Sequence, residues 1–107
     1  MTTGAAWWVL ALAGVFEIAW AVGLKYTQGF TKFWPCVWTF GCLVLSFFLL
    51  SKAVTQIPLG TAYAVWTGIG AAGTVVAGIL LFQEPMTALR MTCLFLIIAG
   101  IAGLKLA

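Results

Sequence analysis

Four long apolar stretches, separated by short polar segments, account for almost the whole chain. They run over about Ala6–Leu24, Phe33–Leu50, Pro58–Phe82 and Met86–Leu106. At about 1.5 Å of rise per residue, a helix of 18 to 25 residues crosses the roughly 30 Å hydrocarbon layer of a bilayer. The pattern therefore predicts an all-α membrane protein, a single domain over residues 1–107 with four transmembrane helices.

The composition agrees with this prediction and excludes several classes of protein. Hydrophobic residues make up 64% of the chain and charged residues only 7%, whereas about 25% of a soluble domain is charged. The net charge of +3 suits a surface that faces anionic lipid. No basic cluster is present, so we expect no nucleic-acid partner. The first apolar stretch lacks the basic segment and cleavage site of a signal peptide, and we expect a retained helix.

Glu17 is the one ionisable residue deep inside an apolar stretch. It lies about ten residues after Trp7, and therefore about 15 Å into the membrane. A charge at that depth costs about 2.5–3.5 kcal/mol on insertion scales. Because intramembrane ionisable groups usually carry function, Glu17 predicts a functional site. The alternative is a neutral, hydrogen-bonded side chain that only ties helices together.

Two further polar side chains lie at similar depth. Trp20 is one helical turn from Glu17, where its indole N–H and ring face can meet a ligand. The small residues Ala13 and Gly14 lie beside Glu17 and leave room for a ligand or a neighbouring helix. The alternative for Trp20 is packing against lipid. Ser46 is the one polar group deep in the second stretch. It either binds a ligand or donates a hydrogen bond back to its own helix.

The third stretch carries polar, aromatic and small residues on one helical face. These residues are Tyr63, Trp66, Thr67, Gly70 and Thr74. Such a face is typical of a surface that meets water or a ligand. Gly68 and Gly70 weaken the helix in the middle of this stretch, which indicates either a hinge or a close contact with a neighbouring helix.

The fourth stretch has small residues in place of deep polar ones. Ala99, Gly100 and Gly103 form a small-residue face of the kind that lets two helices approach closely, so we predict that they pack between subunits of a dimer. Glu84-Pro85 precedes this stretch. A carboxylate followed by proline is typical of a helix N-terminus, and we expect Glu84 to cap the fourth helix.

Nothing in the sequence predicts enzyme chemistry. The chain has no His, and Cys36, Cys42 and Cys93 show no metal-ligand spacing, so they are interpreted as packing residues and no metal or organic cofactor is expected. There is no pair of acidic positions within the membrane and no phosphate-binding loop. A transport or assembly role is therefore favoured over catalysis.

The basic residues divide almost evenly between the two sides of the membrane. Lys52 and Lys105 fall on the side of the N-terminus, and Lys25, Lys32 and Arg90 fall on the other. Basic residues near span ends set orientation, and two against three is a weak bias. We therefore expect insertion in both orientations and pairing of opposed subunits about a two-fold axis in the membrane plane. The alternative is that one orientation dominates.

Three motifs resemble the small multidrug resistance family end to end. They are Gly14-x-x-Glu17-x-x-Trp20, Gly29-Phe30-Thr31-Lys32 and the run from Pro58 to Gly70 that contains Ala62-Tyr63-Ala64-Val65-Trp66. The resemblance implies a proton-coupled exporter in the bacterial cytoplasmic membrane, with H⁺ as the coupling ion. It also implies an antiparallel, dual-topology homodimer of four-helix subunits in which Glu17 is the shared proton and substrate site.

The chain is more similar to the guanidinium-exporter branch than to the multidrug branch at Trp20, at Leu43 and over Phe82–Arg90. By this resemblance, the site is lined by Glu17, Trp20, Ser46, Tyr63 and Trp66. Guanidinium suits two carboxylates because its planar fork of N–H donors matches a carboxylate bidentately. Two alternatives stay open: an exporter of quaternary ammonium or lipophilic cations, and a non-transporting assembly subunit or pore.

Overall fold

Four helices occupy most of residues 1–107, all of which the computed structural model describes. They are α1 (Thr3–Tyr26), α2 (Phe33–Ala53), α3 (Leu59–Phe82) and α4 (Ala88–Leu106). Each helix is long and apolar enough to cross a membrane. The prediction of an all-helical chain with four membrane-spanning helices is confirmed.

The start of α4 differs from the prediction. The helix is capped by Thr87, whose hydroxyl accepts a hydrogen bond from the backbone N–H of Arg90 at 3.2 Å. The expectation that Glu84 caps α4 is therefore wrong. Pro85 disfavours helical backbone at the residue before it, so the helix begins later, at a threonine that suits the cap position. The Glu84 carboxylate instead accepts a hydrogen bond from Arg90 Nη2 at 3.2 Å.

The helices form a thin slab, with α1 packed against both α2 and α3 and with α4 packed against α3. The slab measures 40 × 35 × 17 Å, so its shortest dimension is less than two helix diameters. A layer this thin has no interior large enough to enclose a path across the membrane.

The buried core lies where α1, α2 and α3 meet, towards the end of the slab that holds the chain termini. It consists of Ala6, Leu10, Ala13, Leu50, Ala53, Ile57, Ala62, Val65 and Trp66. Four of these nine residues are alanines, and small side chains allow close approach of helix backbones. Helix α4 contributes no buried residue. It is therefore attached to the edge of a three-helix unit.

The two ends of the slab carry different basic residues. Lys25 Nζ lies 5.4 Å from the centre of the Phe82 ring, which places the α1–α2 and α3–α4 connections at one end. Lys105 Nζ lies 5.2 Å from the Trp7 ring centre, which places both termini at the other. This arrangement is the one that the alternation of four spans requires.

Candidate functional site

Glu17 lies near the middle of α1 and packs against Gly70, which is midway along α3. A Cβ atom added at Gly70 would overlap the Glu17 carboxyl group. Glycine at this position therefore lets the carboxyl lie directly on the backbone of α3. The Oε2 atom of Glu17 is buried and has no hydrogen-bond partner within the subunit. A buried carboxyl oxygen without a donor is available to bind a proton or a cation.

The other glycines near this contact also allow close packing. A Cβ at Gly14 would lie 2.5 Å from Cγ2 of Ile69, and a Cβ at Gly68 would lie 3.0 Å from Cδ1 of Ile101. Helix α3 is unbroken from Leu59 to Phe82. Of the two interpretations of these glycines, close contact is therefore seen at Gly14, Gly68 and Gly70. A hinge at Gly68 and Gly70 stays a prediction.

Ser46 connects three helices. Its hydroxyl is fully buried and donates a hydrogen bond to the backbone carbonyl of Ala13 on α1 at 2.8 Å. The same hydroxyl accepts a hydrogen bond from Trp66 Nε1 on α3 at 2.9 Å. Ser46 does not bond back to its own helix, because a partner on α1 is within reach. Since Ala13 lies one turn before Glu17, the bridge fixes the part of α1 that carries the carboxyl.

Trp66 is buried between two other aromatic side chains. Its ring centre lies 5.3 Å from that of Phe47 on α2 and 5.7 Å from that of Tyr63. Only 5% of Trp66 is exposed, whereas 56% of Tyr63 is. The three rings form a connected group that reaches from the core to an open face. Trp66 and Tyr63 are thus brought together, although only Tyr63 is open to a ligand from outside the subunit.

Trp20 lies one turn from Glu17 and is half-buried. Its Nε1 atom is buried and has no hydrogen-bond acceptor within the subunit. By contrast, Trp38 on α2 donates its indole N–H to the carbonyl of Ala19 at 3.1 Å. Trp20 therefore retains an unused donor beside a carboxyl with an unused acceptor. Its role in binding stays a prediction.

The five predicted site residues form two groups in a single subunit. Glu17 and Trp20 lie together on α1, and Ser46, Trp66 and Tyr63 form a chain of contacts across α2 and α3. Within the subunit the Ser46 hydroxyl is hydrogen-bonded to Ala13 and Trp66, and not to the Glu17 carboxyl. The bridge to Ala13 links the two groups.

Phe47 and the Ala13 carbonyl are two contributors that sequence reasoning missed. One phenylalanine among many on an apolar helix does not stand out as a site residue. The identity of a residue also does not show whether its backbone carbonyl accepts a hydrogen bond from another helix. The deep serine was a partial signal, because a buried hydroxyl requires at least one hydrogen-bond partner. The identity of those partners depends on how the helices are aligned.

The predicted packing residues of α4 lie apart from Glu17. Ala99, Gly100 and Gly103 are exposed, and a Cβ added at either glycine would meet nothing within 4 Å. This face is therefore open to another helix from outside the subunit. No residue of the described chain covers it.

Comparison with known proteins gives a consistent result. Residues 5–97 match the sequence model of the family described as Small Multidrug Resistance protein. A protein of Citrobacter freundii named guanidinium exporter is 52% identical over 101 residues, which is 94% of this chain and 96% of that protein. Proteins with the same name from Salmonella typhimurium and Proteus vulgaris are 52% and 50% identical over 101 residues, with 96% and 97% of each relative covered.

Proposed function

Because the chain belongs to the small multidrug resistance family, we propose that it exports guanidinium cations from the cell in exchange for protons. Four apolar helices and this family identify a multi-pass membrane transport protein. The bacterial relatives named guanidinium exporter support the substrate. They also favour the bacterial cytoplasmic membrane as the location.

The observation that carries the proposal is the unpartnered carboxyl oxygen of Glu17 in the middle of a membrane helix. Guanidinium offers N–H donors in a plane, which a carboxylate accepts in pairs. Trp20 adds a ring face at one turn from the carboxyl, where a delocalised cation gains further attraction. A carboxyl group binds either a proton or a cation, so exchange of the two at one site couples their movements.

The proposed transporter is an antiparallel homodimer. Support comes from the thin slab, which cannot enclose a path alone, and from the exposed small residues Gly100 and Gly103 on α4. Two opposed subunits bring two Glu17 carboxyls to one shared site. Dimers that carry guanidinium or protons then alternate between opening to one side of the membrane and opening to the other. The empty dimer, with two charged carboxylates, does not make this change because desolvating the charges costs too much.

We expect subunits in both orientations in one membrane, because three basic side chains at one end oppose two at the other. The measurement is labelling of a single cysteine introduced at Lys32, in a chain whose three native cysteines are replaced, with an impermeant reagent applied to sealed vesicles. About half of the protein should be labelled from outside, and the rest only after permeabilisation. Labelling from one side alone would contradict dual insertion.

The test of the function is transport by this chain alone in liposomes. When the liposome interior is more acidic than the outside, outward proton flow should drive guanidinium into the liposomes against its own gradient. Dissipating the proton gradient with a proton carrier should stop this uptake. Unlabelled guanidinium should compete strongly with labelled guanidinium for transport, and tetraphenylphosphonium should compete only weakly. The bulky cation has no N–H donors for the carboxylates, so it gains less at this site.

Three results would replace the proposal by its rivals. Preferential transport of tetraphenylphosphonium would identify an exporter of lipophilic cations. Guanidinium flux that follows its own gradient and ignores the proton gradient would identify a pore. Absence of any flux, with the protein assembled, would identify a non-transporting subunit.

A further inference from the structure

Two adjoining cavities at the end of the slab that holds the termini differ in chemistry. The larger, of about 430 Å³, lies between α1, α3 and α4 and is lined mainly by apolar side chains, among them Trp8, Val65 and Ile101. The smaller, of about 210 Å³, lies at the end of the helices and includes polar side chains. Trp7 and Lys105 line both cavities. The two spaces therefore meet at one lysine.

The smaller cavity is suited to a polar head group. Thr3, Gln56 and Thr61 contribute two hydroxyls and an amide, and Lys105 adds a positive charge. These are donors that a phosphate ester accepts from. The larger cavity reaches inward from Gly4 along the first turns of α1, so a chain that follows it runs towards the middle of the membrane.

Lys105 has no anionic partner in the protein. Its ammonium lies over the Trp7 ring, and the one salt bridge of the subunit joins Arg90 to Glu84 at the opposite end. Ala107 also lines the smaller cavity, yet no ion pair joins its carboxylate to Lys105. An unpaired cation beside a polar cavity and above an apolar groove is complementary to an anion that carries a hydrocarbon chain.

We propose that these two cavities form one binding site for an anionic phospholipid. The phosphate lies against Lys105 in the smaller cavity, and an acyl chain occupies the groove between α1, α3 and α4. This site is separate from Glu17, which lines neither cavity. A lipid held here spans α1 and α4, whose backbones do not approach each other and which otherwise meet through Lys105 and Trp7.

The charge test uses a matched pair of lysines. Lys52 lies over the Phe48 ring at 5.3 Å, in the same way that Lys105 lies over Trp7 at 5.2 Å, but Lys52 lines no cavity. Full-length protein is delipidated in detergent and titrated with dioleoyl phosphatidylglycerol or dioleoyl phosphatidylcholine, and bound lipid is counted by native mass spectrometry. Wild type and Lys52→Gln should prefer the anionic lipid about fivefold, and Lys105→Gln should lose that preference.

The groove test uses a second matched pair. Ala11 lines the larger cavity, and Ala5 is an exposed residue on the same helix that lines neither. Ala11→Phe should fill the groove and weaken retention of both lipids, while Ala5→Phe should not. Glycerol phosphate, which has the head group without the chain, should fail to compete at equal concentration.

Three outcomes would overturn the site. An equal loss of the preference for anionic lipid in Lys52→Gln and Lys105→Gln would show that the preference depends on net charge and not on this site. Unchanged lipid retention in Ala11→Phe would show that no acyl chain occupies the groove, as would be found if a second copy of the chain covered it. Competition by glycerol phosphate as effective as that of the lipid would identify a site for free phosphate esters.

Discussion

Glu17→Gln is expected to abolish proton-driven guanidinium export, to the level of empty liposomes, while the protein still folds and assembles. Glutamine has nearly the shape of glutamate, so it fits beside Gly70 without a new clash. It cannot release a proton or carry a negative charge, and both are required to exchange a proton for a cation. The measurements are guanidinium flux under a proton gradient and guanidinium binding across pH.

The pH dependence follows from the same chemistry. Protonation removes the charge that holds the cation, so guanidinium binding to wild type should weaken as pH falls, and binding should release protons. In the proposed dimer, two opposed carboxyls at one site would titrate as a coupled pair. In Glu17→Gln both effects should vanish. Uphill guanidinium transport by Glu17→Gln would show that coupling occurs elsewhere, and the proposed mechanism would fail.

Glu17→Asp is the matched control for this experiment. It retains a carboxylate at a shorter reach, so it should still bind guanidinium with pH dependence, although at a shifted midpoint. If aspartate lost guanidinium binding as completely as glutamine, a carboxylate alone would not be sufficient, and its reach would also be required.

Gly70→Ala is expected to have the second-largest effect. The added methyl group would occupy the space of the Glu17 carboxyl, so the carboxyl or the α1–α3 contact must shift. Overpacking of this kind costs about 1–3 kcal/mol. If that cost falls on the geometry that binds the cation, guanidinium affinity should drop by roughly 5- to 150-fold. Isothermal titration with guanidinium at fixed pH measures it.

Gly60→Ala supplies the control on the same helix. A Cβ at Gly60 would meet nothing within 4 Å, and the substitution changes helix propensity in the same direction. It should bind guanidinium as wild type does. Equal affinity in Gly70→Ala and Gly60→Ala would mean that the carboxyl does not need its place on the α3 backbone.

The four helices and the position of Glu17 could be predicted because the membrane imposes a simple rule. Backbone N–H and C=O groups in hydrocarbon must be hydrogen-bonded within a helix, so an apolar stretch of sufficient length predicts a membrane-spanning helix. A charge in the middle of such a stretch is equally visible, because its depth follows from counting residues. Neither inference needs the relative placement of the helices.

The contacts of Ser46 and Glu84 could not be predicted, because they depend on how the segments are aligned. Ser46 bonds to Ala13 and Trp66 only because α2 and α3 meet α1 at one level. Glu84 pairs with Arg90 because the backbone stays non-helical from Gln83 to Thr87. Periodicity assigns a residue to a face of its own helix, but it does not predict which residue of a neighbouring segment that residue contacts.

The Ser46 bridge has a consequence for biogenesis. Two contacts that orient Glu17 and its turn of α1 come from the same polypeptide, through Ser46 on α2 and Gly70 on α3. A newly inserted chain can therefore shape half of the pocket before it meets any partner. In the proposed dimer, association would join two preformed halves and would lose little conformational entropy at the carboxyls. Two diverged copies, each carrying its own finished half, would be able to pair as readily as two identical ones.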